Sequence, residues 1–265
     1  MMATTTFHKY QGAGNDFILF DDRDGSLLAF DQPTIARLCD RHFGIGADGL
    51  MLLRDHPDYD FEMVYFNSDG RPSSMCGNGG RCIVRFARDR GLRRSAYRFL
   101  AVDGPHRARF TEGEREISLE MGDVAQVQRF DQHSCVVDTG SPHFVRFVES
   151  LAGIDVARQG REIRRSEPFA EAGINVNFVH DHHGSLDILT YERGVEAETL
   201  ACGTGVTAAA IASVQRTKRL GEFTVAVRAK GGDLRVDGRR TGPESFTDLW
   251  LTGPAEFVFS GEIRP

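Results

Sequence analysis

The segments "FILFDD", "YDFEMVYF", "HFVRFV", "LDILTYE" and "FTVAVRAK" read as strands, and in several of them apolar and polar residues alternate. A period of two is that of a strand with one face buried. Turn pairs punctuate these runs: Asp24-Gly25, Asp69-Gly70, Glu112-Gly113, His183-Gly184 and Asp237-Gly238. "PTIARLCDRHFG" has a helical period, with Pro33 in its first turn and Gly44 past its end. Two further helices are expected, over about residues 78–89 and 204–216. The later one is apolar nearly all round (Val206, Ala208, Ala209, Ala210, Ile211, Ala212, Val214), which predicts burial on every side. The earlier one gathers Cys82, Ile83, Val84, Phe86 and Ala87 on one face, while Arg81, Arg85 and Arg88 predict a solvated face. Many strands with a few buried helices predict an α+β protein, with antiparallel sheet wrapped on helices.

Each buried helix is preceded by the same grammar. "SSMCGNGGRCIV" and "ETLACGTGVTAAAIA" both run cysteine, glycine-x-glycine, apolar helix. One copy lies in each half, which predicts two related domains: residues 1–122 carrying Cys76, and 123–254 carrying Cys202.

Composition narrows the class. A net charge of −6, with acids and bases interspersed, does not suggest a nucleic-acid binder. No apolar run approaches the roughly 20 residues of a membrane span. The opening "MMATTTFHKYQ" has no signal-peptide core, so the expected compartment is the cytoplasm. Five cysteines, an odd number without Cys-x-x-Cys, argue against a disulfide framework or a zinc ribbon. Cys39, Cys82 and Cys135 read as small core residues.

Cys76 and Cys202 read differently. The first turn of a helix leaves N–H groups unpaired and carries positive partial charge. A thiol there ionises more easily, and a carboxylate finds a seat on the same N–H groups. Glycine lets a ligand approach the backbone closely. Two such thiols suit inversion of a carbon stereocentre: one removes a proton from one face, the other returns a proton to the opposite face. The carbanion formed between those steps is delocalised into the substrate's carboxylate, where helix N-termini stabilise it. No cofactor motif is needed for this chemistry, and none is visible in the sequence.

The segments "KYQGAGNDFILFD", "FNSDG", "MCGNGGRC", "DTGSPH", "GINVNF", "YERG" and "ACGTG" occur in the order found in the diaminopimelate epimerase family. The resemblance runs from Phe7 to about Phe259. It implies two similar domains, each a barrel-like sheet around a central helix, with the C-terminal strand from about residue 255 returning to the first. It implies interconversion of LL- and meso-2,6-diaminopimelate, on the route to lysine and peptidoglycan, with no cofactor and no metal. It implies Cys76 and Cys202 as the acid/base pair, and Gly77, Asn78, Gly203 and Thr204 as the grip on the reacting carboxylate. Asn15, Asn67 and Asn175 match substrate-binding asparagines. Glu192 and Arg193 match a pair in which the arginine meets the distal carboxylate as a fork and the glutamate accepts from an ammonium or sits near a thiol. His143 matches a histidine near the first cysteine that tunes its protonation. Gly49 and Ser141 depart from the common pattern, which has glutamine and asparagine there. A homodimer is expected.

Competing readings are weaker. "GAGNDF" lacks the third glycine of a dinucleotide loop and precedes a strand. "HDHHG" reads as a hairpin turn rather than a metal site. A redox-responsive binding protein would use Cys76 and Cys202 as a reversible disulfide, but no exchange motif accompanies them. The nearest alternative keeps the chemistry and changes the substrate to proline, hydroxyproline or histidine.

Overall fold

A computed structural model describes residues 4–27 and 30–264. The reading of the N-terminal stretch therefore has its first three residues outside those described. The chain divides into two compact units, one running to Leu119 and taking up the chain again from Pro254, the other spanning Glu120–Gly253.

In the first unit, β1 (Thr5–Gly12) and β2 (Asn15–Asp21) form a hairpin. Helix α1 (Gln32–Cys39) leads to β3 (Gly49–Arg54), parallel to β2, and β4 (Phe61–Asn67) returns antiparallel. Helix α2 (Gly77–Asp89) follows, then β5 (Ala96–Ala101), β6 (Gly104–Phe110) and β7 (Glu116–Glu120). All four residues Phe17–Phe20 of β2 are buried, because the sheet is covered on both faces. Ile18, Phe20, Leu50 and Leu52 face Ile35 and Leu38 of α1, and α2 packs on β1, β2 and β3.

The second unit repeats this order. A short strand, β8 (Val127–Arg129), pairs with β9 (Ser134–Asp138), which forms a hairpin with β10 (Pro142–Phe147). Helix α3 (Val156–Arg165) leads to β11 (Asn175–Asp181), parallel to β10, and β12 (Ser185–Glu192) returns antiparallel. After β13 (Ala197–Thr199) comes α4 (Gly203–Thr217), then β14 (Gly221–Ala229), β15 (Gly232–Arg240) and β16 (Phe246–Pro254). Phe144, Val176 and Phe178 pack with Val156 of α3. Alternation along the strands turns His143, Asn175 and Asn177 to the opposite face, where α4 lies. Beside β1 of the first unit, the place that β8 holds beside β9 is taken by the C-terminal strand β17 (Glu256–Ile263). The architecture is α+β, each unit a mostly antiparallel, barrel-like sheet around a buried helix.

Four details depart from the sequence reading. Helix α1 ends at Cys39 rather than just before Gly44, because the Asp40 carboxylate accepts from the His42 and Phe43 N–H groups and starts a turn. Gly44 then folds back so closely that a Cβ would stand 2.0 Å from the Arg37 carbonyl oxygen. Helix α3 has no counterpart among the expected elements. It is mostly polar, and its interior Gly160, a poor helix former, leaves room for the Tyr191 ring, which would lie 2.5 Å from an added Cβ. Asp237-Gly238 is not a turn but a bulge within β15, where the register to β16 slips. Finally, Arg81 is fully buried rather than part of a solvated face.

Candidate active site

Cys76 is the N-cap of α2, extended at φ −108° and ψ 150°, and its Sγ accepts from the Gly79 N–H at 3.2 Å. A sulfur that receives a backbone N–H at a helix start is biased towards the thiolate. The glycines after it answer to close packing: a Cβ on Gly79 would lie 2.5 Å from Met51 Cε and 3.0 Å from Cys76 Sγ, and one on Gly80 2.9 Å from Met75 Sδ. The far end of α2 closes in a Schellman motif, with Gly91 at φ 97° and bonds from Leu92 N to the Ala87 carbonyl and from Gly91 N to that of Arg88.

Arg81 lies one turn along α2. It donates to the Gly77 carbonyl (3.2 Å), Asn78 Oδ1 (2.8 Å) and the Pro254 carbonyl (3.3 Å). Three neutral acceptors arranged around a planar fork explain how this cation is tolerated without water. By holding Oδ1, Arg81 turns the Asn78 amide nitrogen towards Asn15 Oδ1, at 3.4 Å. Asn15 in turn donates to Asp48. The β1–β2 turn is anchored from beneath by Asp16, which pairs with Lys9 (2.7 Å) and Arg41 (2.7 Å). Burial opposes the charge on Asp16, but the Arg41 and Lys9 bonds outweigh it and hold its pKa down to about 2. Asn67 ends β4 opposite Gly49, with its side chain exposed. Cys76, Gly77, Asn78 and Asn15 are thus gathered in the first unit, with Asn67 at the end of a neighbouring strand.

Cys202 is the N-cap of α4, extended at φ −113° and ψ 111°. Its Sγ lies 3.4 Å from Thr204 Oγ1, which lies 2.8 Å from His143 Nε2. His143 Nδ1 faces the Asn177 amide nitrogen at 3.0 Å. Within its own unit, then, His143 reaches the second cysteine through one hydroxyl. Burial, and after it the Arg193 charge, press the His143 pKa down to about 3, so the ring is neutral at physiological pH. Asn175 donates to Ser141 Oγ (2.8 Å) and the Pro142 carbonyl (3.1 Å), and accepts from the Arg193 N–H (2.8 Å). The exposed Arg193 guanidinium bonds the Ala172 carbonyl and Ser141 Oγ. Glu192, the last residue of β12, immediately precedes it. Gly203 and Thr204 form the first turn of α4.

The other three cysteines are buried. Burial pushes Cys39 and Cys135 up to about 12 and pushes Cys82 up as well, which keeps them inert thiols.

The sequence profile of the diaminopimelate epimerase family matches residues 7–127 and again residues 135–258. The diaminopimelate epimerase of Flavobacterium psychrophilum is 46% identical over 97% of this chain and 99% of its own length. That of Aquifex aeolicus is 38% identical over 97% of each. The chain belongs to the diaminopimelate epimerase family. Among solved structures, a PhzF-family phenazine biosynthesis protein of Bacillus anthracis superposes with a TM-score of 0.76 at 15% identity, covering 99% of both chains. A probable proline racemase of Agrobacterium radiobacter, solved with bound carbonate, gives 0.67 at 16% identity, covering 97% of this chain and 92% of the other. At such identities these two likenesses speak to the fold alone.

Within this epimerase family the chain's two departures have a structural account. A Cβ on Gly49 would lie 2.6 Å from Tyr65 Cε2, so the Tyr65 ring fills the space a larger residue 49 would need. Burial, and after it the nearby Cys76, push the Tyr65 pKa up, and the protonated phenol bonds the Cys76 sulfur. Ser141 still bridges Asn175 and Arg193 through its hydroxyl. Three residues with a bearing on the site were not assigned to it from the sequence: Tyr65, Asn177 and Arg81. For Asn177 a signal existed, since "INVNF" places Asn175 and Asn177 two apart on one strand face. For Arg81 the signal misled, because helical spacing of arginines does not show which of them points inward.

Proposed function

We propose that this chain converts LL-2,6-diaminopimelate to the meso form by a two-base mechanism, supplying lysine and peptidoglycan precursors. The observation that carries the reading is the repeated half-site, in which each unit caps a buried, glycine-opened helix with a cysteine. One cysteine, as thiolate, takes the α-proton. The C–H bond breaks and its electron pair passes into the substrate's α-carboxylate. The other, as thiol, gives its proton to the opposite face of the carbon, so the protein ends with the two protonation states exchanged. The N–H groups at Gly77–Asn78 and Gly203–Thr204 receive the carboxylate as negative charge develops on it. Asn15, Asn67 and Asn78 offer amides to the substrate's ammonium and carboxylate groups; Asn175, whose amide hydrogens go to Ser141 and the Pro142 carbonyl, offers its carbonyl oxygen to the ammonium, and Glu192 accepts from an ammonium. Arg193, already anchored by Ser141 and the Ala172 carbonyl, meets the distal carboxylate. The carbanion is stabilised by the substrate's own carboxylate and the chain's own groups, so the mechanism calls on no cofactor.

The enzyme works as a cytoplasmic homodimer in this reading. A reducing compartment suits its five thiols. Phe257, Val258 and Phe259, about half exposed along β17, form an apolar patch suited to a second copy. Incubation with LL-diaminopimelate in heavy water tests the activity: deuterium enters the α-position and the meso form accumulates. Neither should occur with Cys76→Ala or Cys202→Ala. If the unaltered protein labels proline but leaves diaminopimelate untouched, the substrate assignment is wrong.

A further inference from the structure

Cys202 meets a hydroxyl, Thr204 Oγ1, that could either donate to the sulfur or accept from it, and the direction matters. The groups behind Thr204 decide it. Asn177 is fully buried, and its amide is fixed from two sides. The Phe144 carbonyl, 3.3 Å from Nδ2, can only accept, while Thr190 Oγ1 donates to Oδ1 at 3.0 Å. The amide nitrogen therefore faces His143 Nδ1, 3.0 Å away, and donates to it. An imidazole nitrogen that accepts carries no proton, so in the neutral ring the proton sits on Nε2. Asn175 also approaches Nε2, at 3.5 Å, but Ser141 and the Pro142 carbonyl take its two hydrogens at shorter range. Nε2–H then donates to Thr204 Oγ1, and the hydroxyl proton is left to point at the sulfur.

We propose that Asn177 is a positioning residue that locks His143 as the Nε2–H tautomer and so orients a hydrogen-bond relay, through Thr204, onto Cys202. The relay stabilises the Cys202 thiolate without placing a charge beside it. It rests on the reading of Cys202 as an acid/base group. Arg193 is the charged group that bears on His143; Asp138 ends the neighbouring strand β9, and Glu192 ends β12, one strand beyond β11. Gly205 belongs to the same device, because a Cβ there would lie 2.5 Å from Asn177 Oδ1 and 3.3 Å from His143 Nδ1.

Nitrogen NMR of histidine-labelled full-length protein at neutral pH reads the tautomer directly. Protonated Nε2 and bare Nδ1 are expected for His143; the reverse overturns the lock. In Asn177→Asp a carboxylate replaces the donor and draws the proton to Nδ1, leaving Nε2 to take the Thr204 hydroxyl away from the sulfur. Alkylation of Cys202 by iodoacetamide between pH 7 and 10, followed by peptide mass, should then show a midpoint about one pH unit higher, a tenfold loss of thiolate at fixed pH. The Cys76 midpoint should stay in place. Thr204→Val should give the same rise, and the double variant no more than either alone. Thr204→Ser should restore the original midpoint. A flipped tautomer with an unmoved Cys202 midpoint would end the relay at Thr204 and refute the proposal. Loss of labelling on diaminopimelate with the tautomer and midpoints as described would instead count against the proposed function alone.

Discussion

Gly205→Ala probes how tightly the start of α4 must be held. Gly205 is the third residue of the helix, and its Cα faces Asn177 and His143, both fully buried. An added methyl would stand 2.5 Å from Asn177 Oδ1, about 1 Å inside ordinary contact. The amide cannot swing aside cheaply, because Thr190, the Phe144 carbonyl and His143 all bond it. The helix start must move instead, carrying Cys202 with it. Overpacking of this kind costs about 1–3 kcal/mol, and replacing a helical glycine with alanine returns about 1 kcal/mol. The fold should therefore survive with a net loss of roughly 0–2 kcal/mol in urea unfolding. Turnover should suffer far more, since a shift of about 1 Å at a reacting group costs about 100-fold, or roughly 2.7 kcal/mol in the barrier. The assay pairs deuterium incorporation into diaminopimelate with urea unfolding of the same preparation. Near-normal turnover in a stably folded Gly205→Ala protein would refute the claim that Cys202 needs this exact seat.

Two other predictions follow from the first unit. Asp16 is held at about 2 in the folded protein against an ordinary 3.8, so its ionised form favours folding; the contribution, roughly 2 kcal/mol, is complete above about pH 4 and lost as pH falls towards 2. Acid titration of urea stability should show that loss in the native chain and a flatter curve in Asp16→Asn; identical slopes would show that Lys9 and Arg41 do not stabilise the β1–β2 turn. Arg81→Lys keeps the charge but cannot serve three acceptors in one plane, and losing one charge-assisted bond should cost about 1.5–3 kcal/mol in chemical unfolding. An unchanged urea midpoint would mean the guanidinium fork does not hold α2 to the Pro254 carbonyl.

Some of this protein was legible from local pattern. The strands from Phe17, Phe61, His143, Leu186 and Phe223 announce themselves because a short apolar run or an alternation, bounded by turn residues, is a property of neighbouring residues. The turn at His183-Gly184 and the extents of α2 and α4 were legible for the same reason. Other elements were not. Helix α3 was hidden because Gly160, which lowers local helix preference, is there to admit Tyr191 from a strand about thirty residues away. Asp237-Gly238 has turn composition but sits between Phe223 and Leu249, where only glycine fits inside a strand.

The sequence by itself determined where two thiols stand: Cys76 and Cys202 are each followed by glycines and an apolar run, and that local pattern puts each at the start of a helix. Only the tertiary structure decided what surrounds them. It buried Arg81 beneath Asn78, set Tyr65 against Cys76, and placed Asn177 behind His143. Those choices depend on strand register and on which side of a helix meets the sheet, and no short stretch of sequence encodes either.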